Sequence, residues 1–296
     1  MSKEHSRHPL EWFGFSLDNT SEEAQISRNN RLCPFMQEVE GQTSTPCVKR
    51  SRLLPDHPFG VCSVEYPPYG IMALCPYRFL EEGRVFRNIA EHYFGDLHNL
   101  VLFSEVSFPS SRHLGRFDYV IVQHAPLSRR VTDFVAVEFQ AAQTTSTGHL
   151  VQAVKDYLQG SDVTKRTYPF GINWADIWKR AFIQVLLKGM ALEYWGKALY
   201  WVVQEAVYRN LAQRYKLPLP DEKLRSSEKA VRFALYTLQQ GEGRASLQGP
   251  KWLSFDVDEL FQALRYNVPL PDRNRIQEHL QNLLQKATIS QQLRWL

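Results

Sequence analysis

Thr132-Asp133-Phe134-Val135-Ala136-Val137-Glu138-Phe139-Gln140 ends an apolar run with an acid and an amide. Its β-branched and aromatic residues predict a strand over 132–140. Alternation then sets Glu138 and Gln140 on one face, Val137 and Phe139 on the other. Two more strands are expected upstream, at 100–108 and 116–122, the latter reading Arg116-Phe117-Asp118-Tyr119-Val120-Ile121-Val122. If the second and third strands form a hairpin centred near Leu127, position 118 falls opposite about 136. Asp118 is then a diagonal neighbour of Glu138, within reach of a shared ion. With the main-chain carbonyl of Phe139, the two carboxylates make the all-oxygen site that Mg²⁺ prefers. Either acid alone reads as a turn cap or an arginine partner; as a pair beside Gln140 they favour an ion.

The order of elements around these strands predicts an α/β fold with a mixed sheet flanked by helices. Phe79, Leu80, Val85, Phe86, Ile89, Ala90 and Phe94 recur at helical spacing, so a helix is expected over 77–94 and closed by Gly95. Residues 150–158 and 174–195 read as helices, 198–203 as a fourth strand, and 205–214 as the helix after it. Leu217-Pro218-Leu219-Pro220 marks a boundary. Beyond it, 226–240 is ambiguous between helix and strand, and 256–265 and 273–286 read as amphipathic helices. Three regions result: an N-terminal segment (1–76), a core (77–216) and a mostly helical C-terminal region (217–296), which packs on the core or serves a dimer interface. The polar stretch 143–149 suits a phosphate backbone, or is a plain connector.

All four cysteines, Cys33, Cys47, Cys62 and Cys75, fall in the first quarter of the chain, with 13, 14 and 12 residues between them. Nothing at the N-terminus resembles a secretion signal, so a cytoplasmic protein is expected, and clustered thiols in a reducing compartment favour a metal over disulfides. The surrounding segment is rich in Pro and Gly and needs a staple. Cys33-Pro34-Phe35 and Cys75-Pro76-Tyr77 share a turn that curls the backbone round the sulfur. Four thiolates would fill a tetrahedral shell, which makes the site structural, and suit iron or zinc alike.

With 296 residues, 44% hydrophobic and 22% charged, the chain is long and apolar enough for a packed core, and no run reaches the length of a membrane span. A net charge of +4 permits a nucleic-acid partner without demanding one. Basic knots hold Arg50 and Arg52, then Arg112, then Arg129 and Arg130; each is either solvated loop charge or a set of forks for phosphates and guanine edges.

Asp118…Glu138-Phe139-Gln140, behind a helix and preceded by four cysteines, resembles the NotI/EagI-like Type II restriction endonucleases of the PD-(D/E)xK nuclease superfamily, with Gln in the usual Lys position. The resemblance spans about residues 30–200. It implies that Asp118 and Glu138 hold a catalytic Mg²⁺ and that Gln140 orients water or phosphate. It further implies that Cys33, Cys47, Cys62 and Cys75 bind one structural iron. A bacterial homodimer cutting double-stranded DNA at a GC-rich palindrome is expected, with Arg50, Arg52, Arg112, Arg129 and Arg130 as candidate base readers. Glu105 is either an extra acid of the site or a surface carboxylate. Arg116-Phe117 stands before Asp118 where the superfamily has Pro. Two other classes fit parts of the pattern: a non-catalytic DNA-binding protein on a relic nuclease fold, and an iron redox protein. Intact acids argue against the first, and a closed thiolate site among arginines against the second.

Overall fold

The computed structural model describes residues 6–36, 45–107, 114–219, 229–267 and 272–286. The chain opens with β1 (His8–Trp12), β2 (Phe15–Ser16) and α1 (Glu22–Asn29), followed by β3 (Val61–Glu65) and β4 (Ile71–Ala73). These strands form a small sheet in the order β2-β1-β3-β4. The Pro- and Gly-rich segment around the cysteines therefore supplies a hairpin, completed by β1 from far upstream. Such non-local pairing leaves no trace in a local pattern. Gly60 enters β3 at φ +68 with Trp12 and Phe13 packed so closely that a Cβ would lie 2.6–2.8 Å from their rings.

After a 3-10 segment (Pro76–Gly83) and α2 (Arg84–Phe94), three strands run as an antiparallel meander: β5 (Leu100–Ser107), β6 (Arg116–His124) and β7 (Val131–Gln140). The single helix expected over 77–94 is thus broken. Glu81 and Glu82 leave helical geometry, and the Glu81 carboxylate is held by Arg78 at 2.6 Å and by the Leu247 N–H at 3.0 Å.

β8 (Thr144–Thr145) pairs with β9 (Gly171–Ile172), and α3 (Thr147–Leu158) lies between them in sequence. Next come α4 (Trp174–Tyr194), β10 (Leu199–Gln204), α5 (Glu205–Tyr215), β11 (Val231–Gln239), β12 (Ser246–Phe255), α6 (Val257–Tyr266) and α7 (Arg273–Lys286). The main sheet has the order β12-β11-β10-β7-β6-β5, parallel across β7, β10 and β11 and antiparallel elsewhere. It is the mixed, helix-flanked sheet that the sequence predicts. Among the described residues after Leu217, β11 and β12 supply two of the six strands beside α6 and α7, so strand and helix share a region expected to be mostly helical, and the sheet continues past the expected boundary. Phe233, Ala234, Leu235 and Tyr236 are all buried. With both faces covered, β11 lacks the clean alternation that would have marked it.

Two hydrophobic cores lie on the two faces of this sheet. One gathers Ala136, Trp201 and Phe233 with Val151, Trp178, Val185 and Leu211 from α3, α4 and α5. The other gathers Val135, Val137, Tyr200 and Ala234 with Phe86 and Ile89 from α2. β10 is buried at every position, as a central strand should be. Between the sheets lies a fully buried ionic network. Arg78 donates to Glu11 at 3.0 Å and to Glu81, with its guanidinium 4.6 Å from the Phe35 ring centroid. Ser63 donates to Glu11 at 2.6 Å, and the Ala245 N–H does so at 2.9 Å. This network ties the turn after Cys75 to the edge of the main sheet. No described helix is long and apolar enough to cross a membrane.

Candidate active site

β6 and β7 bring Asp118 and Glu138 together. Val120 lies opposite Ala136 and Tyr119 opposite Val137, so Asp118 faces Glu138 itself. The register is two residues from the expected one: the irregularity at Gln123 and His124 shifts the pairing by one residue, and a turn centred between Leu127 and Ser128 supplies the other. Each acid is braced by the backbone of the strand that carries the other. The Asp118 N–H donates to Glu138 Oε1 at 3.2 Å, and the Phe139 N–H donates to Asp118 Oδ2 at 2.8 Å.

Glu138 is 5% exposed. Burial, and then the neighbouring charge of Asp118, push its carboxyl up to about 7, with Lys188 pulling the other way. Burial also raises Asp118, opposed by the Phe139 N–H and Lys188 and reinforced by Glu105. Two largely desolvated carboxylates so close together favour a proton or a cation between them.

Lys188 is the residue that pattern reading misses. From α4 its ammonium donates to Glu138 Oε1 and to the Arg116 carbonyl, both at 2.6 Å, and it lies 5.1 Å from the Phe117 ring centroid. A signal existed. Val185, Lys188 and Leu192 fall on one helical face, and a charge between two core positions needs a buried partner.

Gln140 shares the Glu138 face of β7 by alternation, and its amide donates to the Ala141 carbonyl at 2.8 Å. Glu105 stands at the rim. It pairs with Arg116 at 3.6 Å, both side chains are well exposed, and its backbone is left-handed at φ +51. It is close enough to act on Asp118 electrostatically, but its carboxylate is turned to Arg116.

The basic candidates separate. Arg50 and Arg52 are exposed on the loop before β3, and Arg50 borders Gln143 and Thr144 just beyond the open end of β7. Arg129 and Arg130 sit at the opposite end of the β6–β7 hairpin, where eight residues, or roughly 26 Å of extended strand, separate Arg130 from Glu138. Arg112 lies outside the described residues.

Cys33, Cys47, Cys62 and Cys75 are all buried free thiols. Leu32 bridges to Pro46, which draws Cys33 and Cys47 together, and the Cys62 carbonyl accepts from the Leu74 and Cys75 N–H groups. The two Cys-Pro-aromatic turns do curl round their sulfurs: amides of Phe35 and Met36 point at Cys33, those of Tyr77 and Arg78 at Cys75. Burial raises Cys62 and Cys75, and pushes Cys33 up to about 12. Lys49 lies within electrostatic reach of Cys47, Cys62 and Cys75. Amide donors aimed at sulfur, and a cation close by, suit thiolates. As the side chains stand, however, no three His, Cys, Asp or Glu among the described residues are gathered tightly enough to grip an ion. Tyr77 lies within electrostatic reach of both groups: burial first, then Cys75, Glu105, Cys33 and Asp118 raise its phenol.

A mixed α/β sheet flanked by helices is compatible with a nuclease core. The family described as restriction endonuclease NotI matches the chain over residues 20–243. The chain belongs to this family: it is a Type II restriction endonuclease, a site-specific deoxyribonuclease that binds DNA. The matched span includes all four cysteines, Asp118, Glu138, Gln140 and Lys188. No curated protein gives a match.

Proposed function

We propose that the chain hydrolyses phosphodiesters of double-stranded DNA at a GC-rich palindrome in a Mg²⁺-dependent reaction centred on Asp118 and Glu138. The observation that carries this reading is the reciprocal bracing of those two carboxylates on β6 and β7 within a member of this nuclease family. When bound, Mg²⁺ supplies charge neutralisation for the phosphate and acidifies the attacking water.

The protein's own groups do the rest. The Phe139 N–H fixes one oxygen of Asp118. Lys188 and the Asp118 N–H fix one oxygen of Glu138. Both acids are thereby held in single orientations before DNA arrives, which lowers the reorganisation needed at the reacting phosphate. Gln140 lies on the same face with a neutral amide able to orient water or phosphate. Lys188 adds a positive charge behind Glu138 in a motif that lacks its usual lysine.

The four cysteines are proposed to hold one structural iron, with zinc the alternative occupant; closing the site requires the thiols to lose their protons and draw together. The chain is proposed to act as a homodimer, since a palindrome presents two scissile phosphates and each chain carries one site. The apolar groove between α4 and α6, lined by exposed Ile183, Leu187, Met190, Tyr194 and Phe261, supports that assembly.

Digestion of long, sequenced, unmethylated DNA tests the reading. Discrete fragments should appear with Mg²⁺ and disappear in excess chelator, and their ends give the recognition sequence. Appreciable cleavage in chelator would overturn the metal-dependent mechanism.

A further inference from the structure

Beyond the open end of β7 a cavity of about 260 Å³ separates the basic loop before β3 from the polar segment after Gln140. Its polar walls are Lys49, Arg50, Ser51, Gln143, Thr144 and Thr147, and no carboxylate lines it. The loop is anchored from beneath. The Lys49 ammonium donates to the Leu74 carbonyl at 2.6 Å and to the Val61 carbonyl at 3.3 Å, and the Lys49 carbonyl accepts from the Phe59 N–H at 2.8 Å. This fixes the Arg50 backbone at the cavity wall. The Arg50 side chain is exposed and makes no ion pair or hydrogen bond among the described residues.

On the facing wall, the Thr144 and Thr147 hydroxyls lie 3.3 Å apart. Ser51 Oγ accepts from the Leu53 N–H at 3.3 Å, which leaves its proton to donate. An exposed arginine with no ion pair among the described residues, bordering a cavity lined by hydroxyls and by no acid, offers the donor types of an oxyanion site. The cavity is below the usual range for small-molecule sites of about 300–1,000 Å³. Gln143 follows Gln140 by three residues, roughly 10 Å of extended chain.

We propose that this cavity seats a backbone phosphate of the DNA strand flanking the scissile one, held by Arg50 with the hydroxyls of Ser51 and Thr144. The inference rests on the placement of the scissile phosphate at Asp118 and Glu138. It assigns Arg50 to positioning the duplex, whereas the family resemblance makes it a candidate base reader. Phosphate contacts set register and orientation without carrying sequence information.

The test uses the full-length protein and a duplex containing its cleaved sequence, with binding measured in Ca²⁺ over roughly 50–200 mM salt. Arg50→Gln should weaken binding about tenfold for cognate and unrelated duplexes alike. The slope of log affinity against log salt should become shallower by about 0.9, the loss of one phosphate contact. Thr144→Val should weaken binding in the same uniform way. Neutral methylphosphonate linkages, placed one at a time, should reveal one position next to the cleavage point that weakens wild type but not Arg50→Gln. An unchanged salt slope would overturn the proposal, as would a changed cleavage sequence in Arg50→Gln, which would make Arg50 a base reader. Should Glu138→Ala still cleave while Arg50→Gln shows the lost phosphate contact, the catalytic assignment fails and the phosphate seat stands.

Discussion

The Lys188 ammonium on α4 lies 2.6 Å from Glu138 Oε1 and 2.6 Å from the main-chain oxygen of Arg116, joining a helix to both strands that carry the acids. Both partners of the ion pair are almost fully buried. A buried pair is costly to assemble and costlier to break, because removing one partner strands the other's charge.

Lys188→Met keeps the length of the side chain and removes its charge. It is expected to lower cleavage at least about tenfold and to cost about 3–5 kcal/mol of stability. Adding Glu138→Gln should return much of the stability and none of the cleavage. Urea denaturation of the four proteins measures the coupling; purely additive losses would contradict the account.

Arg78 poses the same question away from the acids. Its guanidinium is fully buried between Glu11 and Glu81. Arg78→Met leaves two buried carboxylates without their counter-ion and should also cost about 3–5 kcal/mol. A shift of the urea midpoint no larger than that of a surface substitution would show that the network is dispensable.

His92 supplies a pH test. Burial, with Arg232 adding to it, lowers its imidazole to about 4, while its ring stacks on Trp252 at 4.0 Å and its Nδ1 meets the Tyr200 hydroxyl. A folded pKa below the unfolded value of about 6.5 gives stability that is complete above 6.5 and lost as pH falls toward 4. His92→Phe should therefore lose less Tm than wild type between those pH values. Parallel Tm curves for the two proteins would refute the assignment.

For the cysteine centre, metal analysis of purified protein should return about one iron per chain, with zinc the other admissible result. The double change Cys62→Ser and Cys75→Ser should abolish retention and lower the thermal midpoint, since metal affinity and folding are linked. Full metal content in that variant would remove these thiols from the site.

Much of this architecture is legible along the chain, for identifiable reasons. Asp118 and Glu138 stand out because acids are rare in buried strands, and α4 because apolar residues recur along it at helical spacing from Trp174. What escapes local pattern depends on distant partners. Lys188 gains its meaning only from Glu138, fifty residues upstream. The exact pairing of β6 with β7 depends on the centre of the turn and on the irregularity at His124, which alternation cannot reveal. β11 stays ambiguous because burial on both faces erases the period of two, and β3 is unremarkable until β1 pairs with it. The Cys-Pro-aromatic turns were readable because a short-range geometry defines them.

The most direct test of the central claim compares wild type with Glu138→Ala and Asp118→Asn on DNA in saturating Mg²⁺, each variant first shown to be folded by circular dichroism. Loss of cleavage by both variants, with DNA binding retained, is the predicted result. Wild-type fragment patterns from either folded variant would contradict the assignment of the two acids as the metal-holding pair.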